Sequence, residues 1–283
     1  MELLQAEPTL FAGLVFLLGL LIGSFLNVVI HRLPKMMEAD WHHQCADLRG
    51  ETGAVTPRYN LWVPRSACTQ CGHQITALEN IPLVSWLWLR GRCSACGTPI
   101  SVRYPLVELL TALLSAAVAW KWGLSMQTLG ALLLVWTLIA LAFIDFDTTL
   151  LPDSLTLPLL WLGLLFNLNG HFASLHDAVI GAIAGYGVLW SVYWVFKWVT
   201  GKDGMGFGDF KLLAAIGAAV GSSFIDQFSG VALPQVPQGT EQQAPQNLGA
   251  ILTGTGILAL LVPFIGGAIG GAWGAKTGRN RPY

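Results

Sequence analysis

The sequence predicts an all-α polytopic membrane protein carrying one small hydrophilic domain between its first two spans, and three observations carry that expectation. Hydrophobic residues fill 54% of the 283 positions and charged residues only 11%, against roughly 25% charged in soluble domains. The mean hydropathy is +0.58 and there are 32 glycines, a residue costly in soluble helices yet common where membrane helices pack closely. Apolar runs recur along the chain, and a single long hydrophilic stretch, 31–104, interrupts them. An ordinary cytosolic enzyme does not fit this composition. With no arginine-rich stretch, nucleic acid is not expected as a partner.

The first uncharged run, Leu10 to Ile30, has 21 residues, enough at about 1.5 Å per residue to cross a hydrocarbon core of roughly 30 Å. Glu2 and Glu7 precede it and His31, Arg32 and Lys35 follow. That order is wrong for a cleaved signal peptide and right for an N-terminus outside and a first loop inside. Residues 1–30 are therefore the first span and 31–104 a cytoplasmic domain. Further runs at Tyr104–Trp120, Thr128–Ile144, Ser154–Leu168, Ala178–Val199, Phe210–Ile225 and Leu248–Ala275 make about seven spans, the Phe210 run being the weakest. The predicted inside regions hold every Lys and Arg but Lys121, while the loop Asp226 to Asn247, without a basic residue, falls outside. This is the asymmetry expected of cytoplasmic loops.

The hydrophilic domain contains Cys68-Thr-Gln-Cys71-Gly72 and Cys93-Ser-Ala-Cys96-Gly97. Each C-x2-C makes a tight turn with both sulfurs facing one point, and two such turns supply four thiolates to a tetrahedral zinc, as in zinc ribbons. Four sulfur ligands leave no open position, so the zinc would be structural. The alternative, two disulfides, is disfavoured by the inferred cytoplasmic side. Cys45 and His73 lie outside the repeat and are not taken as ligands.

Ionised groups are costly in a bilayer, by at least about 2.5 kcal/mol, so acids at span ends are candidates for chemistry. Asp145, Asp147 and Asp153 cluster in Ile144-Asp-Phe-Asp-Thr-Thr-Leu-Leu-Pro152-Asp153, and Asp209 closes Gly204-Met-Gly-Phe-Gly208-Asp209. By span parity, Asp145 and Asp209 lie at the same face. The glycines would let backbone approach a partner helix or an extended peptide. Two carboxylates sharing a proton can hydrolyse a peptide: one takes a proton from water while the other protonates the carbonyl oxygen or leaving amine. Spacing alone leaves helix capping or solvation open for these acids. Capping is the favoured role for Asp153, behind Pro152, and Asp147 is ambiguous.

These residues resemble a known family. Asp145 to Pro158 together with Gly206-Phe-Gly208-Asp209-Phe-Lys211-Leu-Leu are similar to the paired motifs of bacterial type IV prepilin peptidases, which belong to the G-x-G-D intramembrane aspartyl proteases. Archaeal preflagellin peptidase and presenilin are in the same group. The archaeal D-I-K-x-R-x-I-P pattern registers on Asp145 rather than Asp147. Gly23-Ser-Phe-Leu-Asn27 through Arg32-Leu-Pro34, the doubled C-x-x-C-G, Asn80-Ile-Pro-Leu-Val-Ser and Arg103-Tyr-Pro-Leu-Val-Glu108 resemble the bifunctional members.

The resemblance implies a bacterial inner-membrane enzyme, its N-terminus periplasmic, that removes the basic leader of prepilins and type II secretion pseudopilins at the cytoplasmic face. It would then N-methylate the new N-terminus with S-adenosylmethionine. Asp145 and Asp209 would be the catalytic pair, and no residue is assigned to the methyl donor. Gly23-Ser-Phe, inside the first span, reads as a helix-packing site rather than a nucleoside loop. Residues 105–283 would form the protease bundle. Its C-terminus departs from the family's usual eight spans, with a Gln/Pro-rich loop and Gly266, Gly270 and Gly274 at four-residue spacing. A proton-coupled transporter would spread its acids through mid-membrane depth, whereas here they gather at one face. A non-enzymatic assembly platform remains the other rival.

Overall fold

The computed structural model describes residues 7–50 and 59–221. Among these residues seven helices follow in order: α1 Pro8–Leu48, α2 Val84–Trp88, α3 Arg103–Trp122, α4 Met126–Thr148, α5 Asp153–Asn167, α6 Leu175–Thr200 and α7 Phe207–Val220. The described residues contain no strand, only two isolated bridges. The chain divides into two compact units, Met1–Ile144 and Asp145–Tyr283.

Helices α1, α3, α4 and α6 are long and apolar enough to cross a membrane, and α5 is a shorter apolar helix. Among the described residues, then, four helices are of spanning length, against the six predicted runs that begin within them. Helices α5 and α7 have 15 and 14 residues, only about 22 and 21 Å at 1.5 Å per residue. The predicted run Leu248–Ala275, the loop before it and the basic tail lie outside the described residues. The first helix also differs from expectation, because it does not stop at Ile30 but continues through Pro34 to Leu48. Charge ends an apolar run without ending a helix, and Lys35, Met36, Met37, Glu38 and Ala39 are all good helix formers. The compact part of the hydrophilic stretch consequently starts later than residue 31.

In the first unit α1 and α3 pack at small residues. A Cβ on Gly19 would sit 2.7 Å from Ala112 Cα, and one on Gly23 would sit 2.7 Å from Glu108 Cα, so Gly23 serves helix packing as the sequence suggested. Backbone contact this close leaves little room for unpaired polar groups, which a bilayer penalises. Thr111 and Ser115 donate back to the carbonyls of Val107 and Thr111, and Ser115 Oγ accepts Trp136 Nε1–H at 2.8 Å from α4. Among the described residues no buried side-chain N or O lacks a partner.

The second unit packs α7 against α5 and α6. Gly181 and Gly185 of α6 lie directly on the backbone of Gly217 and Leu213, and Gly163 of α5 lies on Ala218 and Ala219. Asn167, fully buried, sews the ends together. Its Nδ2 donates to the carbonyls of Ala218 and Ala219 at 2.9 and 3.0 Å, and its Oδ1 accepts from the amides of Phe172 and Ala173 at 3.1 and 3.0 Å. All four hydrogen-bonding sites of the amide are thereby used. Ser174 caps α6 by accepting the Asp177 N–H at 3.0 Å, which fixes where the next long helix begins.

Candidate active site and metal centre

Asp145 lies in the last turn of α4. The helix is stopped there by Thr149, whose φ is 55° and whose N–H donates to the Asp145 carbonyl at 2.8 Å. A β-branched residue in this region is unusual, and the turn it makes sends Leu150 and Leu151 away from the helix toward Pro152. Pro152 is extended, at φ −62° and ψ 126°, and starts α5. The partner segment begins at Gly206, also extended, which opens α7 with Asp209 in its first turn. The unpaired N–H groups of a helix start favour a carboxylate there.

The two segments meet at Gly208, where a Cβ would lie 2.7 Å from Leu151 Cβ. Any larger residue would push them apart. Of the two motif glycines only Gly208 is needed for this approach, since a Cβ on Gly206 would meet nothing nearer than Asp209 Oδ2 at 3.7 Å. Asp145 and Asp209 are both partly buried, and they lie near enough for their charges to interact. The structure thus brings together two acids 64 residues apart in sequence. Two such carboxylates hold a single proton between them more readily than they ionise together, which is the condition for acid–base work by a pair.

Asp153 does not cap α5 as the sequence suggested. Pro152 is the capping residue, and the Asp153 carboxylate instead receives Lys211 Nζ at 2.6 and 2.7 Å. Lys211 stood inside the quoted glycine motif, but its partner depends on α5 and α7 meeting. Asp147 is exposed, two residues beyond Asp145. On the other flank Tyr193 Oη donates to Asp203 Oδ1 at 2.7 Å, and Lys197 Nζ lies 2.8 Å from the same oxygen. Lys197 first, then Tyr193, holds the Asp203 carboxyl below its ordinary range. Phe210 packs edge-on and Phe207 tilted against Tyr193, so this triad braces the loop that leads into α7.

The cysteine cluster is built from two matching turns. Cys68 N–H donates to the His73 carbonyl and Cys93 N–H to the Thr98 carbonyl, both at 2.9 Å. Gly72 at φ 70° and Gly97 at φ 71° take the left-handed conformation that each turn requires. The bridges Ala67 to Gln74 and Arg92 to Pro99 close the two loops. The four Sγ atoms lie within 4.8 Å of one another, with Cys68 to Cys96 at 3.8 Å and Cys71 to Cys93 at 4.0 Å. A tetrahedral zinc with bonds of about 2.3 Å separates its sulfurs by about 3.8 Å, so the donor set and its spacing fit that ion. Hydrogen bonds from Thr98 lower the Cys96 thiol to about 6, while the neighbouring sulfurs push Cys71 up to about 11, so it is the donor set and its spacing that fit the metal. Cys45 is exposed on α1, outside the cluster. Glu79, which the sequence did not single out, touches both turns: it accepts from Ser94 and from Thr76, and these bonds hold it down to about 2.

Residues 17–122 match the bacterial peptidase A24 N-terminal domain, and residues 132–274 match the type IV leader peptidase family. A prepilin leader peptidase/N-methyltransferase of Aeromonas hydrophila is 58% identical over 273 residues, covering 92% of this chain and 94% of the relative. Proteins of the same name from Aeromonas salmonicida and Pseudomonas aeruginosa are 56% and 51% identical, with 92% of this chain covered in each case and 94% and 93% of the relatives. No solved structure matches.

Proposed function

This chain belongs to the type IV leader peptidase family, and from that membership we infer that it cleaves the leader from prepilins and N-methylates the residue so exposed. Asp145 and Asp209 perform the cleavage. One of the pair, ionised, takes a proton from water as the oxygen attacks the scissile carbonyl. The other, neutral, protonates the carbonyl oxygen, and the tetrahedral species then expels the amine, which leaves with a proton from the pair. The observation that carries this reading is the approach of the two partly buried carboxylates across the Gly208–Leu151 contact.

The methyl donor is a reactant, S-adenosylmethionine, whose sulfonium methyl passes to the freed amine. Zinc held by Cys68, Cys71, Cys93 and Cys96 has a structural role, because four thiolates leave no position for a reacting water. The chain is a multi-pass protein of the bacterial inner membrane with about seven spans, eight being the family's number. Its N-terminus is periplasmic, the cysteine domain between the first two spans is cytoplasmic, and residues 105–283 form the protease bundle. Type II secretion pseudopilins are substrates beside prepilins, since each presents an apolar helix in the bilayer and a basic leader at the face where the aspartates lie.

The deciding experiment incubates the detergent-solubilised chain with a prepilin and follows leader loss by mass. Asp145→Asn and Asp209→Asn, expressed to the normal level, should leave the leader on. Cleavage at the wild-type rate by either variant overturns the assignment of that residue. Labelled S-adenosylmethionine reads methyl transfer separately.

A further inference from the structure

Neither the aspartate pair nor the four cysteines uses Glu108. It is the sole acid in α3, a helix of spanning length, and it is only 8% exposed. A carboxylate so placed is costly unless fully engaged. It bonds to Ser24 of α1, and its Oε2 accepts the Leu83 N–H at 2.9 Å. Leu83 is the centre of an unusual turn, with φ 58° and ψ −47° and with Val84 N–H donating to the Pro82 carbonyl at 2.6 Å. This is a γ-turn with positive central φ, a rare and strained form. Such strain persists only where surrounding contacts enforce it, and the Glu108 carboxylate supplies that contact.

Four residues upstream, Glu79 makes a second set of bonds. Its Oε1 accepts from Ser94 Oγ, inside the second cysteine turn. Its Oε2 accepts the Thr76 amide and hydroxyl at 2.8 and 2.9 Å and lies 3.3 Å from Nε2 of His73, which directly follows the first turn. One carboxylate therefore spans both halves of the tetrathiolate cluster. Segment 79–83 runs from that clamp to the buried one on α3, entirely within the first unit.

We propose that Glu79 and Glu108 are positioning residues of the metal centre, holding the two ends of segment 79–83 so that the cysteine turns are prearranged and tied to the α1–α3 pair. The inference rests on the cysteine cluster binding zinc. Partners just outside a metal's ligands typically contribute about 10- to 100-fold in affinity by fixing ligand orientation. Charge-assisted bonds such as those of Glu79 are the stronger kind. Through Leu83, the order that zinc imposes on the turns reaches the helix pair.

The full chain in detergent, titrated with zinc against a chromophoric chelator, tests the first end. Wild type should hold one zinc per chain and Glu79→Gln should bind at least about tenfold more weakly; equal affinity overturns the role of Glu79. Amide exchange tests the second end. Removing zinc from wild type should speed exchange across residues 80–84. Glu108→Leu should show that fast exchange with zinc still bound, while Glu108→Gln, which keeps an acceptor for Leu83, stays near wild type. Exchange at 80–84 that ignores zinc removal overturns the link to Glu108. A wild-type chain that binds no zinc would overturn the metal reading itself and this inference with it, a result distinct from either variant behaving as wild type.

Discussion

Lys211 Nζ lies 2.6 and 2.7 Å from the two carboxylate oxygens of Asp153, and this ion pair ties the segment that follows Asp145 to the helix that carries Asp209. Both residues are partly open to solvent, at 32% and 54% of the side chain. Such a pair contributes only about 0.2–1 kcal/mol to stability. Its consequence is geometric, because misplacing reacting groups by about 1 Å can cost 100-fold in rate. Lys211→Met and Asp153→Asn should therefore lower kcat for leader cleavage roughly tenfold, with KM and melting temperature little changed. The double exchange Asp153→Lys with Lys211→Asp should recover part of the loss, as read by cleavage kinetics.

The α6–α7 contact admits no side chain at Gly181 or Gly217, where a Cβ would drive into the other glycine's carbonyl. Gly181→Ala should cost roughly 3 kcal/mol or more through forced backbone separation, lowering the detergent melting temperature and, with it, cleavage. Gly187, on the same helix, has nothing within 4 Å of its Cβ position. Gly187→Ala should be neutral or stabilising by up to about 1 kcal/mol, which separates packing from helix propensity in one melting experiment.

Asn167 provides four hydrogen bonds at the junction of α5 and α7. Asn167→Ala strands two carbonyls and two amides and should cost roughly 3 kcal/mol. Asn167→Asp keeps the shape but loses the two donors to Ala218 and Ala219, so it should fail nearly as badly. Thermal unfolding of the two variants against wild type reads both effects.

The brace at the start of α7 should be sensitive to acid. Lys197 and Tyr193 hold Asp203 below the ordinary aspartate range, and a carboxyl depressed on folding stabilises above its unfolded pKa and loses that contribution as pH falls through its folded one. Amide exchange in the 201–206 loop, corrected for intrinsic rate, should stay flat from neutral pH down to about 5 and speed up below about 4. Asp203→Asn should show the faster exchange already at neutral pH.

Much of this protein is legible in its residues taken one at a time. Scarcity of charge and runs such as Leu10–Ile30 mark membrane helices, because hydrocarbon excludes ionised groups whatever the fold. The C-x2-C spacing marks a tetrathiolate cluster because two residues between thiols fix a local turn, and the observed sulfur spacing agrees. Gly208 and Asp209 stood out for similar local reasons. The end of α1 did not, since hydropathy reports where a membrane stops and says little about where hydrogen bonding along a helix stops.

The rest required the chain to be folded. Asp153 looked like a helix cap because its neighbour Pro152 is a local signal, but its true partner, Lys211, arrives from 58 residues away. Glu79 carries no motif, Glu108 merely closes the quoted run from Arg103, and the roles of both exist only because Ser94, Thr76, Leu83 and Ser24 converge on them. The class of protein, its acids and its thiolates follow from local composition and spacing. Which acid faces which partner is fixed by backbone approach at glycines such as Gly208, Gly181 and Gly23, and no periodicity along the chain encodes it.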